Sequence, residues 1–279
     1  MQRVLILGTG LIGASLGLAL RENGFSGVVS GWDRNPAEAE TALRRGAIEV
    51  VAQDPVQAAR GSDAVVLAMP VLAILEWMLR LGPELGEQQW MTDVGSTKRA
   101  ICDCAKEQYN RAGRAEFLPG HPMAGKETAG AAAAEAALFQ GATWLFTPLR
   151  DETAASAEWR SWVERFGCRT LAIEAARHDE LCAWVSHLPQ MVATALAVTL
   201  EEELGESVPA IGGRALREMT RLGASPYAMW RDIAETNAPE IALAMRALEQ
   251  RLARVRKQLG KAELGETFAQ ANRFRPSRH

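Results

Sequence analysis

The segment HPMAGKE, at residues 121–127, combines side chains that can move a proton and bind charged groups. A histidine accepts a proton near neutral pH, because its ordinary pKa is about 6.5. His121 is one of four histidines in the chain, and the adjacent proline and glycine predict a loop, an element that often carries functional side chains. We predict that this loop follows a short strand at 116–119 and that His121 acts as a general base.

A glycine-rich motif near the start of the chain predicts a dinucleotide site. The motif GTGLIG follows the apolar run VLIL and precedes a helical pattern, which is the context that makes it specific. Gly8 permits a tight turn, Gly10 lets a pyrophosphate approach the backbone, and Gly13 lets the helix pack closely on the strand. Free N–H groups at the start of a helix bind phosphate oxygens. We therefore predict that the cofactor contacts Gly8, Gly10, Leu11, Ile12 and Gly13.

The end of the second predicted strand bears on the choice of cofactor. Asp33 lies about twenty residues beyond the last motif glycine, where an acidic side chain binds the adenosine ribose and disfavours a 2′-phosphate. Arg34 follows it, and a guanidinium at this position either pairs with a 2′-phosphate or stacks on adenine. We predict NAD as the cofactor, with NADP as the alternative.

Two serines are candidates for hydrogen bonds to a substrate. Ser96 lies in the run DVGSTK after a predicted strand, although a pair such as Ser96-Thr97 is also typical of a helix N-cap. Ser186 lies in SHLPQ, where a proline interrupts a helical pattern. Gln190 is one helical turn beyond Ser186 and shares its face. The adjacent His187 is as consistent with a buried structural histidine as with a catalytic one.

Three arginines, Arg214, Arg217 and Arg221, are spaced by three and four residues, which predicts that they share one face of a helix. A solvated basic face is one interpretation. Apolar residues between them indicate a helix packed on one side, with the arginines directed toward a cleft or toward water. In a cleft, an arginine binds a carboxylate through two parallel hydrogen bonds.

These side chains must be positioned by two differently built parts of the chain. Residues 1–174 alternate β-rich runs with helical patterns, which predicts an α/β domain with a mostly parallel sheet. Residues 175–279 show helical patterns only, which predicts an all-α domain. Strands are predicted near 3–8, 28–32, 63–68, 90–94, 116–119, 143–147 and 170–173, and helices at 11–22, 36–45, 71–81, 97–109, 152–165, 177–203, 214–222, 226–235, 238–259 and 261–272.

Composition narrows the class of protein. The chain has 279 residues, enough for two domains, and its net charge of −3 with scattered basic residues argues against nucleic-acid binding. Apolar runs are expected to break at charges or glycines before about 18 residues, which argues against a membrane span. The first residues enter a strand pattern without a signal peptide. The four cysteines lack metal-site spacing, so we expect reduced thiols, no metal site and a cytoplasmic protein.

Taken in order, the motifs GTGLIGAS, DVGSTK, HPMAGKE, SHLPQ and MTRLGASPYAMWRD resemble the prephenate/arogenate dehydrogenase family of tyrosine biosynthesis. The resemblance runs over nearly the whole chain. It implies a Rossmann domain followed by a helical domain through which two subunits dimerise, with the active site between the domains. The implied reaction is the oxidative decarboxylation of a cyclohexadienol, in which hydride passes to the nicotinamide, CO₂ leaves and the ring becomes aromatic.

The resemblance also implies roles for individual side chains. It implies that His121 holds the ring hydroxyl and accepts its proton, and that Ser96 orients both of these groups. Ser186 is expected close to the same hydroxyl, and Arg221 is expected to bind a substrate carboxylate. These residue types suit the chemistry, since an imidazole is a base near neutral pH and a guanidinium matches a carboxylate.

Four further positions are assigned to the side chain of the substrate: Gln190, Arg217, Lys126 and Glu127. Many prephenate-using relatives have histidine at the first position, lysine is common at the second, and some have threonine or serine at the third. Lys126 and Arg217 favour the keto acid prephenate over the amino acid arogenate, whereas Glu127 offsets one of these charges. We predict prephenate as the substrate, with arogenate or dual specificity as the alternative.

Two other functions are consistent with the domain plan. A β-hydroxyacid dehydrogenase resembles it, but that family uses a lysine on the first long helix of the helical domain, and this chain has no lysine between Lys126 and Lys257. A non-catalytic dinucleotide-binding protein is the other alternative, because a fold alone does not determine function. Such a protein would not need His121, Ser96 and Arg221 together.

The helical part is predicted to form a homodimer. Its two longest helices carry apolar residues on more than one face, which is more than a small bundle buries by itself. These residues are Trp184, Val185, Leu188, Met191 and Val192 on the first helix and Ile241, Leu243, Met245 and Leu248 on the second.

Overall fold

The first part of the chain folds around a six-stranded parallel sheet. A computed structural model describes the protein over residues 1–126, 128–205 and 211–274. The strand order is β3-β2-β1-β4-β5-β6, and each neighbouring pair is parallel, which confirms the predicted α/β class. The strands are β1 Arg3–Leu7, β2 Val28–Trp32, β3 Val50–Val51, β4 Ala64–Leu67, β5 Trp90–Asp93 and β6 Glu116–Leu118.

Helices cover both faces of this sheet, because alternate side chains of a strand point to opposite faces. Val4 and Ile6 of β1 belong to one buried apolar cluster, whereas Leu5 and Leu7 belong to another on the opposite face. The shortest elements, β3 and α3, were not predicted, since two and six residues are too few to show a period. The helices are α1 Leu11–Glu22, α2 Pro36–Arg44, α3 Pro55–Arg60, α4 Val71–Leu81, α5 Arg99–Gln108 and α6 Ala154–Arg165.

A second, three-stranded sheet holds His121. It consists of β7 Gly120–Pro122, β8 Thr143–Phe146 and β9 Arg169–Ala172, with β7 antiparallel to β8 and β8 parallel to β9. His121 pairs with Leu145, so the prediction of a loop at His121 was wrong. The strand forms because a distant segment supplies its partner, which the flanking glycine and proline do not reveal. The alanine-rich run between β7 and β8 forms two short 3₁₀ turns.

The helical part begins with one long, interrupted helix. Helix α7 Ala175–Cys182 continues through a π-helical turn at Ala183–His187 into α8 Leu188–Leu204. The interruption predicted from Pro189 is therefore present, since a proline cannot donate a backbone hydrogen bond and a wider turn accommodates it. The remaining described helices are α9 Arg214–Thr220, α10 Tyr227–Thr236, α11 Ala238–Gln258 and α12 Glu263–Arg273, and a 3₁₀ turn at Arg221–Ala224 follows α9.

The helical part buries little of its apolar surface. Its buried apolar cluster contains only Ala183, Ile233 and Ile241 among the residues that the structure describes. The helix Ala175–Leu204 is long and apolar enough, by length and composition alone, to cross a membrane, and 28% of its most apolar window is buried. The prediction that apolar runs break too early for a span was therefore wrong, because residues 181–200 contain no charge and no glycine. A core helix of a soluble protein has the same length and composition.

Two buried aspartates of the helical part cap helices of the sheet domain. Helices α4 and α5 begin without a capping side chain at their N-cap positions. Asp232 accepts a hydrogen bond from the N–H of Leu72 at 3.0 Å. Asp179 accepts from the N–H groups of Lys98 at 2.7 Å and Arg99 at 2.9 Å. A carboxylate at a helix N-terminus is stabilised by the free N–H groups and the helix dipole, so these contacts orient the two parts of the chain.

Replacement of Asp232 tests this contact. In Asp232→Ala the N–H of Leu72 loses its acceptor, so we expect the free energy of unfolding to fall by about 1 kcal/mol and the thermal midpoint to fall with it. Asp232→Asn keeps an acceptor oxygen and should lose less. The matched control is Asp54→Ala, which removes the cap of α3 within the sheet domain and should have a similar cost. An unchanged midpoint in Asp232→Ala would show that the cap contributes nothing.

Candidate active site

Three buried side chains form a line of hydrogen bonds where the two parts of the chain meet. Nδ1 of His121 lies 2.9 Å from Nε2 of His178, and Nδ1 of His178 lies 2.8 Å from Oδ1 of Asp179. His121 belongs to β7, whereas His178 and Asp179 belong to α7. Asn237, between α10 and α11, donates from Nδ2 to the backbone oxygen of Asp179 at 2.9 Å. The predicted base therefore contacts a histidine that is 57 residues away in the sequence.

Burial and hydrogen bonds determine the charge of these groups. Burial lowers the pKa of His121 well below the usual 6.5, and His178, Lys98 and His187 lower it further, because a second positive charge near these groups is unfavourable. Burial also lowers the pKa of His178, against the opposing effect of Asp179. For Asp179, burial would raise the pKa, but the hydrogen bonds from His178 and from two backbone N–H groups outweigh it, and the pKa is lowered. At neutral pH both imidazoles are therefore uncharged and the carboxylate is ionised.

A buried ion pair shapes the turn that carries Ser96. Nζ of Lys98 lies 2.6 Å from Oδ2 of Asp93 and donates to the backbone oxygen of Gly95 at 2.7 Å. Both charged side chains are fully buried, which is tolerated when their remaining hydrogen bonds are satisfied. Oδ1 of Asp93 accepts from the N–H of Gly120 at 3.1 Å. The pair therefore holds the end of β5 next to the start of β7, with the half-buried Ser96 in the turn between β5 and α5.

The Ser-Thr pair does not cap α5. The N-cap position is Lys98, and no side chain of its own turn makes the capping hydrogen bond. Oγ1 of Thr97 instead lies 2.8 Å from Oγ1 of Thr236 in α10. The reason is that Asp179 of the helical part already occupies the N-terminus of the helix.

In the glycine-rich turn there is space for a side chain at Gly10 but none at Gly8 or Gly13. Gly8 has a φ of 90°, and a Cβ there would lie 2.2 Å from the backbone oxygen of Ala68. A Cβ on Gly13 would lie 1.9 Å from the backbone oxygen of Gly8, so the helix could not pack as closely. At Gly10 no atom lies within 4 Å of such a Cβ. Helix α1 starts at the next residues, Leu11 and Ile12, without a capping side chain, so its N–H groups are available to a phosphate.

The carboxylate predicted to select the cofactor is held at the end of β2. Oδ2 of Asp33 accepts from the N–H of Thr9 at 2.8 Å, and Oδ1 accepts from the N–H of Asn35 at 2.9 Å. These bonds orient the half-buried Asp33 beside the glycine-rich turn. Arg34 is exposed next to it.

The residues of the SHLPQ motif have different surroundings. Ser186 is half-buried in the π-helical turn. His187 is buried, its Nδ1 lies 3.2 Å from Nδ2 of Asn237, and burial lowers its pKa to about 4. These contacts favour the structural interpretation of His187. Gln190 is 4% exposed and donates from Nε2 to the backbone oxygen of Leu222 at 2.7 Å. Its amide nitrogen therefore holds the 3₁₀ turn that follows α9.

The three arginines do not share one helix. Helix α9 ends at Thr220, and Arg221 begins the 3₁₀ turn, so the prediction of a single helical face was wrong. The helix ends early because the turn is held by other contacts, among them the hydrogen bond to Leu222. All three arginines are exposed, and Arg214 forms an ion pair with Glu218 at 2.6 Å. Arg217 donates to the backbone oxygen of Gly212 at 3.3 Å.

The two charged residues after His121 contribute unequally. Nζ of Lys126 is half-buried and lies 2.6 Å from Oε1 of Glu135, so its positive charge is partly offset. Glu127, the other predicted substrate contact in this segment, lies outside the described residues.

Cys182 places a thiol beside the two histidines. Its Sγ lies 3.6 Å from Nε2 of His178, and the ligating atoms of His121, His178 and Cys182 all lie within 4.8 Å of one another. These atom types bind soft divalent metal ions. A metal ion would have to displace the thiol proton, whose pKa burial raises to about 12, and break the contact between the imidazoles. The expectation that the chain holds no metal stays a prediction.

Sequence reasoning missed five residues of this site: Asp93, Lys98, His178, Asp179 and Asn237. Two of them left a signal, since DVGSTK contains a carboxylate and a lysine on either side of a glycine-serine turn. The adjacent His-Asp pair in RHDE is a second signal, because a charged pair at the start of an apolar helix must find partners when it is buried.

Two family models match the chain in succession. Residues 16–171 match the family described as prephenate dehydrogenase, nucleotide-binding domain. Residues 174–271 match the family described as prephenate dehydrogenase, dimerization domain. The first match covers most of the sheet domain, and the second covers nearly all of the helical part.

Individual relatives agree with these matches. The chain is 32% identical over 244 residues to the prephenate dehydrogenase of Bacillus subtilis (strain 168). The aligned region covers 85% of this chain and 65% of that relative. The chain therefore spans less than two thirds of that relative's length. Its fold is similar to that of the Aquifex aeolicus prephenate dehydrogenase in complex with hydroxyphenyl propionate and NAD⁺, with a TM-score of 0.88, 28% identity and coverage of 98% and 96% of the two chains. The arogenate dehydrogenase of Synechocystis is also similar, with a TM-score of 0.79, 28% identity and coverage of 97% of each chain.

Alanine substitutions in the glycine-rich turn should separate folding from cofactor binding. In Gly13→Ala the new Cβ collides with the backbone of Gly8, so we expect a clearly lower thermal midpoint. In Gly10→Ala the Cβ enters open space, so we expect a nearly unchanged midpoint but an at least tenfold weaker affinity for the dinucleotide. Differential scanning fluorimetry and a binding titration measure these two effects. Equal cofactor affinity in Gly10→Ala and the wild type would contradict the assignment.

The pH dependence of turnover should report the burial of His121. Because its pKa is lowered, the imidazole stays neutral and able to accept a proton in more acidic solution than usual. The acid limb of kcat/KM should therefore lie below pH 6.5, and the rate should fall only as the pH drops through that limb. The same profile for His121→Asn, which lacks a titrating base, is the control. A limb above pH 7 would contradict the neutral, buried state.

Proposed function

The chain belongs to the prephenate dehydrogenase family, and we propose that it converts prephenate to 4-hydroxyphenylpyruvate and CO₂ with NAD as the hydride acceptor. The observation that carries the proposal is the buried imidazole of His121, whose pKa is lowered by burial, at the junction of the two parts that the family models match. The dehydrogenation of an alcohol needs such a base. The proton must leave the hydroxyl oxygen while the hydride leaves the carbon that bears this hydroxyl.

The glycine-rich turn and Asp33 fit a dinucleotide. The open space at Gly10 and the uncapped start of α1 suit a pyrophosphate, and Asp33 is oriented by two backbone N–H groups to accept ribose hydroxyls. When bound, NAD supplies the acceptor for the hydride. We propose NAD over NADP because the carboxylate of Asp33 repels a 2′-phosphate, with the exposed Arg34 as the residue that would favour NADP. The NAD⁺ bound to the Aquifex aeolicus relative supports this choice.

His121 is proposed as the group that accepts the proton of the ring hydroxyl. As that proton leaves the oxygen and a hydride leaves the same carbon, a carbon–oxygen double bond forms. Loss of CO₂ then returns an electron pair through the ring to this oxygen, which takes up a proton as the ring becomes aromatic. Ser96 is proposed to orient the hydroxyl and His121, because the ion pair of Asp93 and Lys98 holds its turn next to β7. Ser186 is proposed as a second hydrogen-bonding group for the hydroxyl, from the helical side of the site.

Arg221 is proposed to bind the ring carboxylate of the substrate. It lies in the 3₁₀ turn whose backbone is held by the buried Gln190, so the turn has a defined position relative to α8. A guanidinium binds a carboxylate through two charge-assisted hydrogen bonds. Arg217, Lys126 and Gln190 are proposed to face the side chain of the substrate, where their net positive charge favours the keto acid of prephenate.

Arogenate is the second candidate substrate. The ion pair of Lys126 with Glu135 reduces the positive charge near the substrate side chain, and an ammonium group is then less strongly repelled. Similarity to the arogenate dehydrogenase of Synechocystis also supports this alternative. Both substrates carry the ring hydroxyl and ring carboxylate, so the proposed roles of His121 and Arg221 apply to either one.

The helical part is proposed to form a homodimer and to be the second of two domains, divided at residues 174 and 175. Its small buried core and its exposed apolar side chains support the dimer, since such a surface is stabilised when a second copy covers it. Trp184 is 41% exposed, Val185 65% and Leu243 57%. The family model matched by this region is that of a dimerization domain. A cytoplasmic location, without nucleic-acid or membrane partners, stays a prediction.

A turnover assay with both substrates and both cofactors tests the proposed reaction. We expect prephenate with NAD to have the highest kcat/KM, with formation of 4-hydroxyphenylpyruvate and NADH. His121→Asn should lower kcat by about 10² to 10⁴-fold, because the base is lost, and should leave NAD affinity nearly unchanged. A fluorescence titration with NAD is the control for folding. Near-normal kcat in the variant would remove His121 from the role of base, and no turnover with either substrate would remove the proposed reaction.

Light scattering tests the homodimer. We expect a mass of about twice the 30.3 kDa of the chain at micromolar concentration. Leu243→Glu places a charge on the exposed apolar surface of α11 and should shift the mass toward the monomer. The matched control is Leu79→Glu on α4, where Leu79 is 55% exposed and Leu243 57%, and its mass should not change. A wild-type mass of 30.3 kDa would contradict the dimer.

A further inference from the structure

His178 and Asp179 lie behind His121 and have no direct part in the proposed reaction. We propose that they are positioning residues that set the tautomer of His121, so that Nδ1 carries the proton and Nε2 is left free to accept the proton of the substrate. This inference rests on the proposed role of His121 as the base. It follows from counting donors and acceptors along one line of three side chains, starting at the carboxylate.

The carboxylate of Asp179 can only accept hydrogen bonds. It is 1% exposed, its pKa is lowered, and it already accepts from the N–H groups of Lys98 and Arg99. An ionised carboxylate has no proton to donate. Nδ1 of His178, at 2.8 Å from Oδ1 of Asp179, must therefore be the nitrogen that carries the proton.

The other nitrogen of His178 is consequently an acceptor. His178 is fully buried and its pKa is lowered, so the ring is neutral and Nε2 has no hydrogen. Two groups approach this nitrogen: Nδ1 of His121 at 2.9 Å and Sγ of Cys182 at 3.6 Å. Burial raises the pKa of Cys182 to about 12, so its thiol stays protonated and is at most a weak donor. The short contact with His121 is then a hydrogen bond only if Nδ1 of His121 donates.

The tautomer of His121 follows from this contact. A neutral imidazole carries one proton on its two nitrogens, and the contact with His178 requires that proton on Nδ1. Nε2 of His121 therefore has a free lone pair. In the opposite tautomer, two lone pairs would face each other at 2.9 Å inside a buried site, and Nε2 would carry a proton that prevents it from acting as a base. A carboxylate that fixes an imidazole tautomer is the same device as in hydrolase triads, here with a second imidazole between them.

Nitrogen NMR tests the tautomers directly. The chain has only four histidines, so protein with ¹⁵N-labelled histidine gives few signals, and long-range proton–nitrogen spectra distinguish protonated from bare ring nitrogens. At neutral pH, with a chelator present to exclude metal ions, we expect His121 and His178 both to be protonated at Nδ1 and bare at Nε2. The signals are assigned with His121→Asn and His178→Gln. A wild-type His121 protonated at Nε2 would overturn the proposal.

Variants of His178 test the consequence for turnover. His178→Leu removes the acceptor, so His121 should become a mixture of both tautomers. We expect kcat to fall about 10 to 100-fold, with KM within about threefold of the wild type. His178→Gln offers an amide oxygen to the N–H of His121 and should recover a large part of kcat. Cys182→Ala is the matched control, because it removes the other group near Nε2 of His178 and should change neither the tautomer nor kcat.

The outcomes separate this inference from the proposed function. If His121→Asn abolishes turnover but His178→Leu keeps both the Nδ1–H form and normal kcat, His121 remains the base and the positioning role is wrong. If no substrate is turned over, the proposed function fails, while the spectra of the wild type still decide the tautomer. If His178→Leu does not fold, the wild-type spectra and the Gln variant decide it.

Discussion

The fold and the candidate site both depend on the hydrogen bonds of the Asp179 carboxylate. A buried carboxylate is costly unless it is fully hydrogen-bonded, and this one is bonded to two N–H groups at the start of α5 and to His178. Its own backbone oxygen accepts from Asn237. Asp179 therefore caps a helix of the sheet domain and orients a histidine behind β7 with its side chain, and its backbone connects α7 to the segment before α11. The relative position of the two parts and the geometry around His121 have the same cause.

A second buried ion pair fixes the geometry of the site on the side of the sheet domain. Asp93 and Lys98 neutralise each other, and their remaining hydrogen bonds are satisfied by the backbone of Gly95 and Gly120. Burial away from water strengthens the electrostatic attraction within the pair, and burial also lowers the pKa of His121. Lys98 also adds to that effect through its positive charge. The pKa of His121 is thus lowered mainly by burial, with a smaller contribution from the lysine that shapes the turn next to it.

The helical part connects the site to the proposed assembly. Helix α7 supplies His178 and Asp179 at one end of a long apolar helix, most of whose apolar window is not buried by this chain. A surface of this kind is stabilised by a partner, and the homodimer proposed for the family member would cover it. The packing in that interface would then affect the position of α7, because α7 and the apolar surface belong to the same continuous helix, Ala175–Leu204.

The sequence by itself determined most of the order of strands and helices, although not β3, α3 and β7, and it determined the family and the choice of His121 as the candidate base. These follow from local patterns: the period of apolar residues, the glycine-rich turn and short motifs such as HPMAGKE. Only the tertiary structure decided that His121 lies in a strand, that His178 is its partner, that Asp179 caps α5, and that Lys126 pairs with Glu135. The physical reason is that these contacts join residues from separate segments, and the pKa shifts arise from burial, which depends on how those segments pack. A local pattern shows that a polar residue must find a partner when buried, but the fold selects which partner it finds.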